Sequence, residues 1–286
     1  MALEKAQSIL INKGSSPKLS IQGISAELLA KVNGYLIAVS GGDSDAQAFI
    51  TAAAITDPTQ ETAINDLVVG LKADGLWSKM KAIYPIVGGT ASSHKFNLKD
   101  PQDTDAAFRL TFSGGWTHSA TGAKPNGTNG FADTHFIPIN ELASNVDASL
   151  SFYSRTDGNA NSISIGAEFA FLIQIRNGGK FYPQIGSTAQ FPSFTNPDGL
   201  GYYSANRHPS NSLNIEGYKN GARVVNGAED VGLVGISVTI GKANGGSRFS
   251  YRECAFATMG YGLTVTEQAN FYTRVQAFQT ALSRQV

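Results

Sequence analysis

From residue 80 onward, apolar residues of this chain recur at every second position in a series of short segments. A period of two is the pattern of β-strands, because successive side chains of a strand point to opposite faces of the sheet. The clearest example is residues 234–240, where valine and isoleucine alternate with glycine, serine and threonine. Eight segments carry this signal: residues 82–87, 108–112, 150–153, 162–165, 169–176, 213–215, 234–240 and 249–258. Many short, regularly spaced strands predict a mainly β protein with an antiparallel jelly-roll sandwich.

Glycine separates these segments. Five Gly-Gly pairs occur, at positions 41–42, 88–89, 114–115, 178–179 and 245–246, and glycine reaches positive φ at no steric cost. The strongest hairpin signal is Asn220-Gly221, because Asn-Gly fits a two-residue type I′ turn.

Helical patterns precede the strands. Residues 45–50 run into an alanine-rich stretch that predicts a short helix. Asp57-Pro58 predicts the start of a second helix, since the carboxylate accepts hydrogen bonds from the first N–H groups and proline there loses none. One apolar face follows, and Gly75 is predicted to end the helix. The face consists of Ile64, Leu67, Val68 and Leu71.

A last helix is predicted at the C-terminal end. Thr264 and Glu267 have the spacing of a capping box, in which each residue satisfies a backbone N–H of the other. An apolar stripe follows, and we expect it to dock on the sandwich. The stripe consists of Phe271, Val275, Phe278 and Leu282. The sequence thus predicts three parts: an N-terminal segment over 1–40, a small helical region over 41–80, and a sandwich ending in a helix over 81–286.

Charge and cysteine content exclude several classes of protein. Lys and Arg number 22, as do Asp and Glu, so the basic surplus typical of nucleic-acid binders is missing and no nucleic-acid partner is expected. The single cysteine, Cys254, excludes a disulfide framework within the chain and a zinc cluster built on cysteine. The N-terminus lacks a secretory signal pattern, and the longest apolar run, residues 169–175, is too short to cross a bilayer. We therefore expect no membrane insertion and synthesis in a cytoplasm.

Motifs for catalysis and metal binding are weak. The chain has no phosphate-binding loop and no nucleophile elbow. Glycoside hydrolysis requires two carboxylates, whereas Glu168 and Glu216 each stand alone on a predicted strand; no enzymatic activity is expected. Oxygen ligands for calcium occur together in residues 196–199 and at Asp103 and Asp105, but such sequences also form ordinary turns. No metal site or cofactor is predicted.

One segment has the composition of a binding loop. Residues 200–208 contain the five candidate ligand-binding residues Tyr202, Tyr203, Asn206, Arg207 and His208. Tyrosine rings stack on sugar faces, and the polar side chains can hydrogen-bond to hydroxyls or carboxylates. The alternative is that the tyrosines alternate into the core while the polar residues cap turns.

The hairpin and the elements after it resemble a known fold family. Residues 212–224, with the sequence SLNIEGYKNGARV, are similar to the strand–NG–strand hairpin of concanavalin A-like and laminin G-like domains. A strand at 249–258 and a terminal helix opened by residues 263–267 follow in the order found at the end of those domains. Over residues 100–286, the resemblance implies a lectin-like jelly roll.

A second resemblance is to virion proteins of tailed bacteriophages. It is carried by residues 255–264 and 272–284, by residues 56–60, and by residues 76–101. Proteins of this kind are tail, fibre or capsid-decorating components, so the resemblance implies a non-enzymatic structural protein assembled in the bacterial host cytoplasm. It also implies other virion proteins as partners, a homo-oligomer (a trimer by analogy with fibres), and contact with a host-surface polysaccharide.

Two other functions are weighed against the virion role. One is a free carbohydrate-binding module, and the other is a glycan depolymerase, which the lone carboxylates disfavour. Residues 1–40 match no known pattern, and we interpret them as an anchor to the particle.

Overall fold

The structure, a computed structural model, describes residues 42–167, 170–186, 193–211, 214–228 and 232–286. Within it, Asp43–Val286 form one compact unit, which holds both the predicted helical region and the predicted sandwich. The expectations for residues 1–40, including the particle anchor, lie outside the described residues, as does Glu168.

Most of the described elements are strands. The helices are α1 (Ser44–Ala52), α2 (Pro58–Ala73), α3 (Ala91–His94), α4 (Pro138–Glu141) and α5 (Val265–Ala281). The strands are β1 (Met80–Tyr84), β2 (Thr111–Ser113), β3 (Trp116–Ser119), β4 (Gly122–Pro125), β5 (Phe131–Asp133), β6 (Ala148–Ser154), β7 (Ile165–Ala167), β8 (Phe171–Asn177), β9 (Lys180–Ile185), β10 (Phe194–Thr195), β11 (Gly201–Arg207), β12 (Asn214–Lys219), β13 (Ala222–Ala228), β14 (Thr239–Ile240), β15 (Ala243–Asn244) and β16 (Cys254–Gly260).

These strands form two sheets, each with eight strands among the described residues. In the first sheet the order is β13-β12-β11-β6-β16-β4-β3, and β1 also pairs with β16. In the second sheet the order is β10-β9-β8-β7-β14-β5-β2, and β15 pairs with β7. The pairings are antiparallel except that of β15 with β7. The predicted fold class is confirmed: a mainly β, jelly-roll-like sandwich.

The core between the sheets follows the alternation of the strands. From the first sheet, Leu150 and Phe152 of β6 and Tyr203 of β11 point inward. Ile173 of β8 and Phe181 of β9 meet them from the second sheet. Burial of these side chains is the main stabilising contribution to the sandwich.

A second apolar layer covers the outer face of the first sheet. Phe49 of α1, Leu67 of α2 and Phe271 of α5 pack there. They contact outward-facing residues of the first sheet, such as Tyr202 of β11 and Phe256 of β16. The first sheet is therefore covered on both faces, and every residue of β6, β11 and β16 is buried. A strand with both faces covered does not need polar residues at every second position, so it lacks the apolar–polar alternation by which strands are predicted from sequence.

The helix ends match the sequence predictions. The Asp57 carboxylate accepts hydrogen bonds from the N–H groups of Thr59 and Gln60 at 2.8 and 3.2 Å. Gly75 follows the end of α2 with φ of +71°. Thr264 and Glu267 form the predicted capping box. These predictions are confirmed because capping depends on residues close together in sequence.

The strand predicted over 234–240 is largely wrong, since regular pairing occurs only in β14. The segment runs beside residues 134–139 and makes isolated backbone bonds, such as that from the Val238 N–H to the Phe136 carbonyl at 2.9 Å. Val234 and Val238 are nevertheless buried. The alternation of apolar residues over 234–240 therefore indicates which side chains are buried, and it does not indicate a hydrogen-bonded strand.

Further strand boundaries differ from prediction, and two of these strands begin several residues late. Phe108 adopts left-handed backbone geometry with φ of +57°, so the strand predicted over 108–112 begins only at Thr111. The strand predicted over 249–258 begins at Cys254.

The predicted hairpin is confirmed. Asn220 and Gly221 both have positive φ, 49° and 77°, as the type I′ turn requires. A bulge interrupts the pairing of β12 with β13 between Gly217 and Tyr218. Among the described helices, none is both long and apolar enough to span a bilayer.

Candidate functional site

The segment predicted as a binding loop is in fact strand β11, and this corrects the sequence interpretation. β11 pairs with β6 on one side and β12 on the other. Its two faces are covered by the helices and by the second sheet. A strand in this position has no face in contact with solvent.

The two tyrosines of β11 point to opposite faces, and they are 1% and 0% exposed. Tyr202 lies among the helices, with its ring centroid 6.3 Å from that of Phe271. Tyr203 faces the second sheet, 5.1 Å from the ring of Phe181. Burial raises the pKa of both phenols. Arg207 is also buried, and it donates to the Ile185 carbonyl at 3.3 Å.

Asn206 lies behind the surface as a supporting residue. Its Nδ2 donates to Glu216 Oε2 and to the Leu263 carbonyl, both at 2.9 Å. Its Oδ1 accepts from the Leu263 N–H at 2.8 Å. Four of the five candidate residues are therefore inside the fold, as the alternative interpretation expected for the tyrosines. Ligand contact by any of the five stays a prediction.

Glu216 is at the centre of a polar row that crosses three strands. Asn206, Glu216 and Asn226 are direct cross-strand partners on β11, β12 and β13. The side chain of Glu216 is 2% exposed, and it accepts from Tyr218 Oη at 3.0 Å and from Arg223 Nη1 at 2.8 Å. A buried carboxylate requires such partners, because an uncompensated charge inside a protein is strongly destabilising.

The pKa values of Arg223 and Tyr218, which both contact Glu216, are raised for different reasons. The hydrogen bond to Glu216 raises the pKa of Arg223. Burial, and then the charge of Glu216, raises the pKa of Tyr218. The Arg223 guanidinium thus stays charged beside Glu216, with its side chain 41% exposed.

This row opens into a cavity of about 260 Å³, which we call the end pocket. Its lining residues come from three places: His208 and Ser210 after β11; Glu216, Arg223 and Asn226 of the hairpin; and residues 263–265 at the start of α5. Of the five candidate residues, His208 is the one that lines the end pocket.

His208 has a defined tautomer. Its Nδ1 accepts from the Ser210 N–H at 3.2 Å and lies 2.7 Å from Ser210 Oγ. A nitrogen that accepts carries no proton in neutral imidazole, so the proton is on Nε2. On the opposite wall, Thr264 Oγ1 accepts from the Glu267 N–H at 3.3 Å, and the Thr264 side chain also hydrogen-bonds to the Glu267 carboxylate.

The carboxylates suggested for calcium hold side-chain cations instead. Lys219 Nζ lies 2.8 Å from Asn196 Oδ1 and 2.9 Å from Asp198 Oδ1. Arg109 donates to both Asp103 and Asp105 at 2.9 Å. No group of three or more His, Cys, Asp or Glu side chains suited to a metal occurs in the described ranges.

A histidine pair lies elsewhere in the fold. His94 of α3 and His118 of β3 have their Nδ1 atoms 2.9 Å apart, next to the rings of Phe112 and Trp116. Burial lowers the pKa of His94 to about 3, with contributions from His118 and Arg284. Burial also lowers the pKa of His118. Nothing in the sequence spacing predicts this pair, because a turn of α3 and a distant strand bring it together.

The sequence analysis also missed Ser210, Arg223, Asn226 and Thr264, and it dismissed Glu216 as isolated. Isolation along a strand does not mean isolation in a sheet, since partners come from neighbouring strands. The Asn-Gly turn was the available signal, because it places the residues on its two sides opposite one another.

The sequence matches no family model and no curated protein. Similar solved structures include domain 4 of AbnA, a GH43 extracellular arabinanase from Geobacillus stearothermophilus, in complex with arabinotriose. That domain is 14% identical with a TM-score of 0.44, over 68% of this chain and 98% of the domain.

Two other similar structures are larger proteins. A mutant Trypanosoma rangeli sialidase displaying trans-sialidase activity is 12% identical with a TM-score of 0.48, over 75% of this chain. Botulinum neurotoxin type C, whose cell entry depends on two ganglioside molecules, is 12% identical with a TM-score of 0.49, over 71% of this chain. This chain spans 39% of the sialidase chain and 53% of the toxin chain. These identities assign no family, ligand or activity.

Proposed function

We propose that this chain is a non-enzymatic structural component of a tailed-bacteriophage virion, of the fibre, tail or capsid-decorating type, and that its end pocket binds a host-surface glycan. The observation that carries the glycan part is the polar row of Asn206, Glu216 and Asn226, which opens into the end pocket beside Arg223. Polar groups on rigid strands give the fixed geometry that recognition of a hydroxyl-rich ligand requires.

The size and lining of the end pocket suit one sugar residue. At about 260 Å³, it lies just below the usual range for ligand pockets, roughly 300–1,000 Å³. Leu263 and Val265 supply apolar surface beside the polar groups. A sugar ring has both kinds of surface, with C–H faces and hydroxyl edges.

The arrangement supports binding without cleavage. Among the described residues of the end pocket, Glu216 is the one carboxylate, and it is already bonded to Asn206, Tyr218 and Arg223. Glycoside hydrolysis uses two carboxyl groups, roughly 5–9.5 Å apart, one of which must exchange a proton.

The virion part rests on the sequence blocks that resemble phage proteins. Two of these blocks, residues 76–101 and 255–284, are in contact: β1 pairs with β16, and Arg284 donates to the Pro85 carbonyl at 2.6 Å. Because the two blocks are in contact, they support a resemblance to one structural unit and not to two unrelated segments. The proposal includes a homo-oligomer, a trimer by analogy with fibres, assembled in the host cytoplasm with other virion proteins.

The binding test uses the purified full chain and polysaccharide extracted from the host surface. We expect Arg223→Ala and Asn226→Ala each to weaken binding by at least about tenfold, the effect of losing one good polar contact. Arg109→Ala is the matched control, since Arg109 is also held by carboxylates but lies outside the end pocket. Binding unchanged in both pocket variants would disprove the site.

The virion test is quantitative mass spectrometry of purified particles against the major capsid protein. A copy number in the hundreds supports a capsid-decorating or head-fibre position, and a few to a few dozen supports the tail. Absence from particles would disprove the virion role and leave a free carbohydrate-binding module.

A further inference from the structure

We infer that the end pocket selects sugars that carry a carboxylate, such as hexuronates, over neutral sugars. This inference rests on the proposed glycan-binding function. It follows from the balance of hydrogen-bond donors and acceptors that the end pocket presents.

The acceptors behind the end pocket are occupied. Oε1 of Glu216 accepts from Arg223, and Oε2 accepts from both Asn206 and Tyr218. Oδ1 of Asn206 accepts from the Leu263 N–H. A sugar hydroxyl that must donate a hydrogen bond therefore finds these oxygens already engaged.

The donors, in contrast, remain available to a ligand. Arg223 carries five N–H groups, of which the contact to Glu216 uses the one at 2.8 Å, and 41% of its side chain is exposed. His208 presents Nε2–H. Arg223 and His208 thus supply donors alone, whereas Ser210 and Asn226 can each serve as donor or acceptor.

An ionised carboxylate is the complementary group, because it only accepts hydrogen bonds and its two oxygens match the planar fork of a guanidinium. Lysine would not replace arginine in this contact. Neutral sugars offer hydroxyls, each of which donates as well as accepts, so part of their hydrogen-bonding capacity stays unsatisfied here.

The distribution of charge supports the same ligand. Glu216 is buried while Arg223 is exposed, so the ligand meets the guanidinium and not the carboxylate.

The experiment compares methyl β-glucuronide with methyl β-glucoside, which differ at C6 only, by calorimetry on the full chain. We expect the glucuronide to bind at least about tenfold more tightly, equivalent to one charge-assisted contact. Arg223→Gln removes this preference, Arg223→Lys restores little of it, and Arg109→Gln leaves it unchanged. Circular dichroism confirms that each variant is folded.

A third probe, sodium acetate, separates an acidic sugar from an anion alone. Acetate is expected to bind more weakly than the glucuronide because it has no ring to contact Leu263 and Val265. Acetate binding as tightly as the glucuronide would overturn selection of an acidic sugar. So would a glucuronide preference that persists in Arg223→Gln.

Failure of this inference is distinguishable from failure of the proposed function. If the glucoside binds as well as the glucuronide, or if host polysaccharide binds and the glucuronide does not, selectivity is disproved while glycan binding stands. If neither sugar nor host polysaccharide binds, both proposals fail.

Discussion

Buried arginines hold this fold together through backbone carbonyls. Arg284, near the C-terminal end, donates from Nη1 to Ile86 at 2.7 Å and from Nη2 to Pro85 and Ala255 at 2.6 and 2.9 Å. Its Nε donates to Gln279 Oε1 at 2.6 Å. One side chain thus joins the C-terminal residues to the loop after β1 and to β16.

Replacing Arg284 by methionine keeps the side-chain volume but removes these donors. We expect the free energy of unfolding to fall by about 3–5 kcal/mol, because the buried carbonyls of Pro85 and Ile86 lose this partner and that of Ala255 keeps only Gln279. Urea denaturation followed by fluorescence measures the change. Arg109→Met is the control, since its exposed ion pairs contribute little. A small loss in Arg284→Met, equal to that of the control, would contradict this role.

His94 makes the stability of the protein depend on pH. Its pKa is about 3 in the folded state against an ordinary value of 6.5, so between these values the unfolded chain binds a proton that the folded chain does not. The free energy of unfolding therefore decreases as pH falls from 6.5 toward 3, by up to about 1.4 kcal/mol per pH unit. His118 and Arg284, which disfavour protonation of His94, act in the same direction.

The measurement is urea denaturation at pH 7, 6, 5 and 4. His94→Gln should show a shallower dependence on pH than the unmodified chain. An identical slope in the two proteins would refute the assignment.

At the scale of elements, the β12–β13 hairpin decides the geometry of the end pocket. Gly221 has φ of +77°, and a Cβ there would approach Tyr272 Cδ1 to 2.7 Å. Gly221→Ala therefore combines backbone strain with a clash, and we expect a loss of about 1–3 kcal/mol together with weaker glycan binding. Gly235→Ala is the control, since its φ is not positive and the added Cβ meets only Ile139, at 3.9 Å. Denaturation and polysaccharide binding test both effects, and equal losses in the two variants would contradict the argument.

The same hairpin shows how far sequence can locate the site. An ideal Asn-Gly turn pairs Lys219 with Ala222 and Tyr218 with Arg223, and both pairs occur. Continued without interruption, it would pair Glu216 with Val225. The bulge adds one residue to β13, so Glu216 pairs with Asn226 and the polar row is completed. Turn chemistry is local and predictable, whereas a bulge depends on tertiary packing.

Strand prediction failed where alternating burial occurs without strand pairing, and where a paired strand carries buried polar residues. Residues 234–240 alternate as an ideal strand, yet most of them make no ladder. Residues 201–207 form a fully paired strand, yet they carry polar residues on both faces, because Asn206 and Arg207 are satisfied by partners in sequence-distant elements. Hydrophobic periodicity reports which face is buried, and it cannot report which polar residues will find partners.

At the scale of the whole molecule, the first sheet belongs to two cores at once. Its inner face packs on the second sheet and its outer face on α1, α2 and α5. Arg274 of α5 also binds Asp74, just after α2, at 2.7 and 3.0 Å. The helical layer and the sandwich therefore share strands, and neither layer can lose its structure without exposing the apolar surface of the other.

This sharing predicts cooperative unfolding of residues 43–286. The chain has two tryptophans, and each lies against a different layer: Trp77 against the helical layer and Trp116 against the sandwich core. Fluorescence of Trp116→Phe reports on the helical layer, and that of Trp77→Phe reports on the sandwich. Circular dichroism gives the urea midpoint for unfolding of the whole chain. In each variant, we expect the fluorescence midpoint to equal the circular dichroism midpoint. If residues 41–80 formed a separate helical region, fluorescence of Trp116→Phe would instead change at a lower urea concentration than its circular dichroism, and the division of the chain at residue 80 would stand.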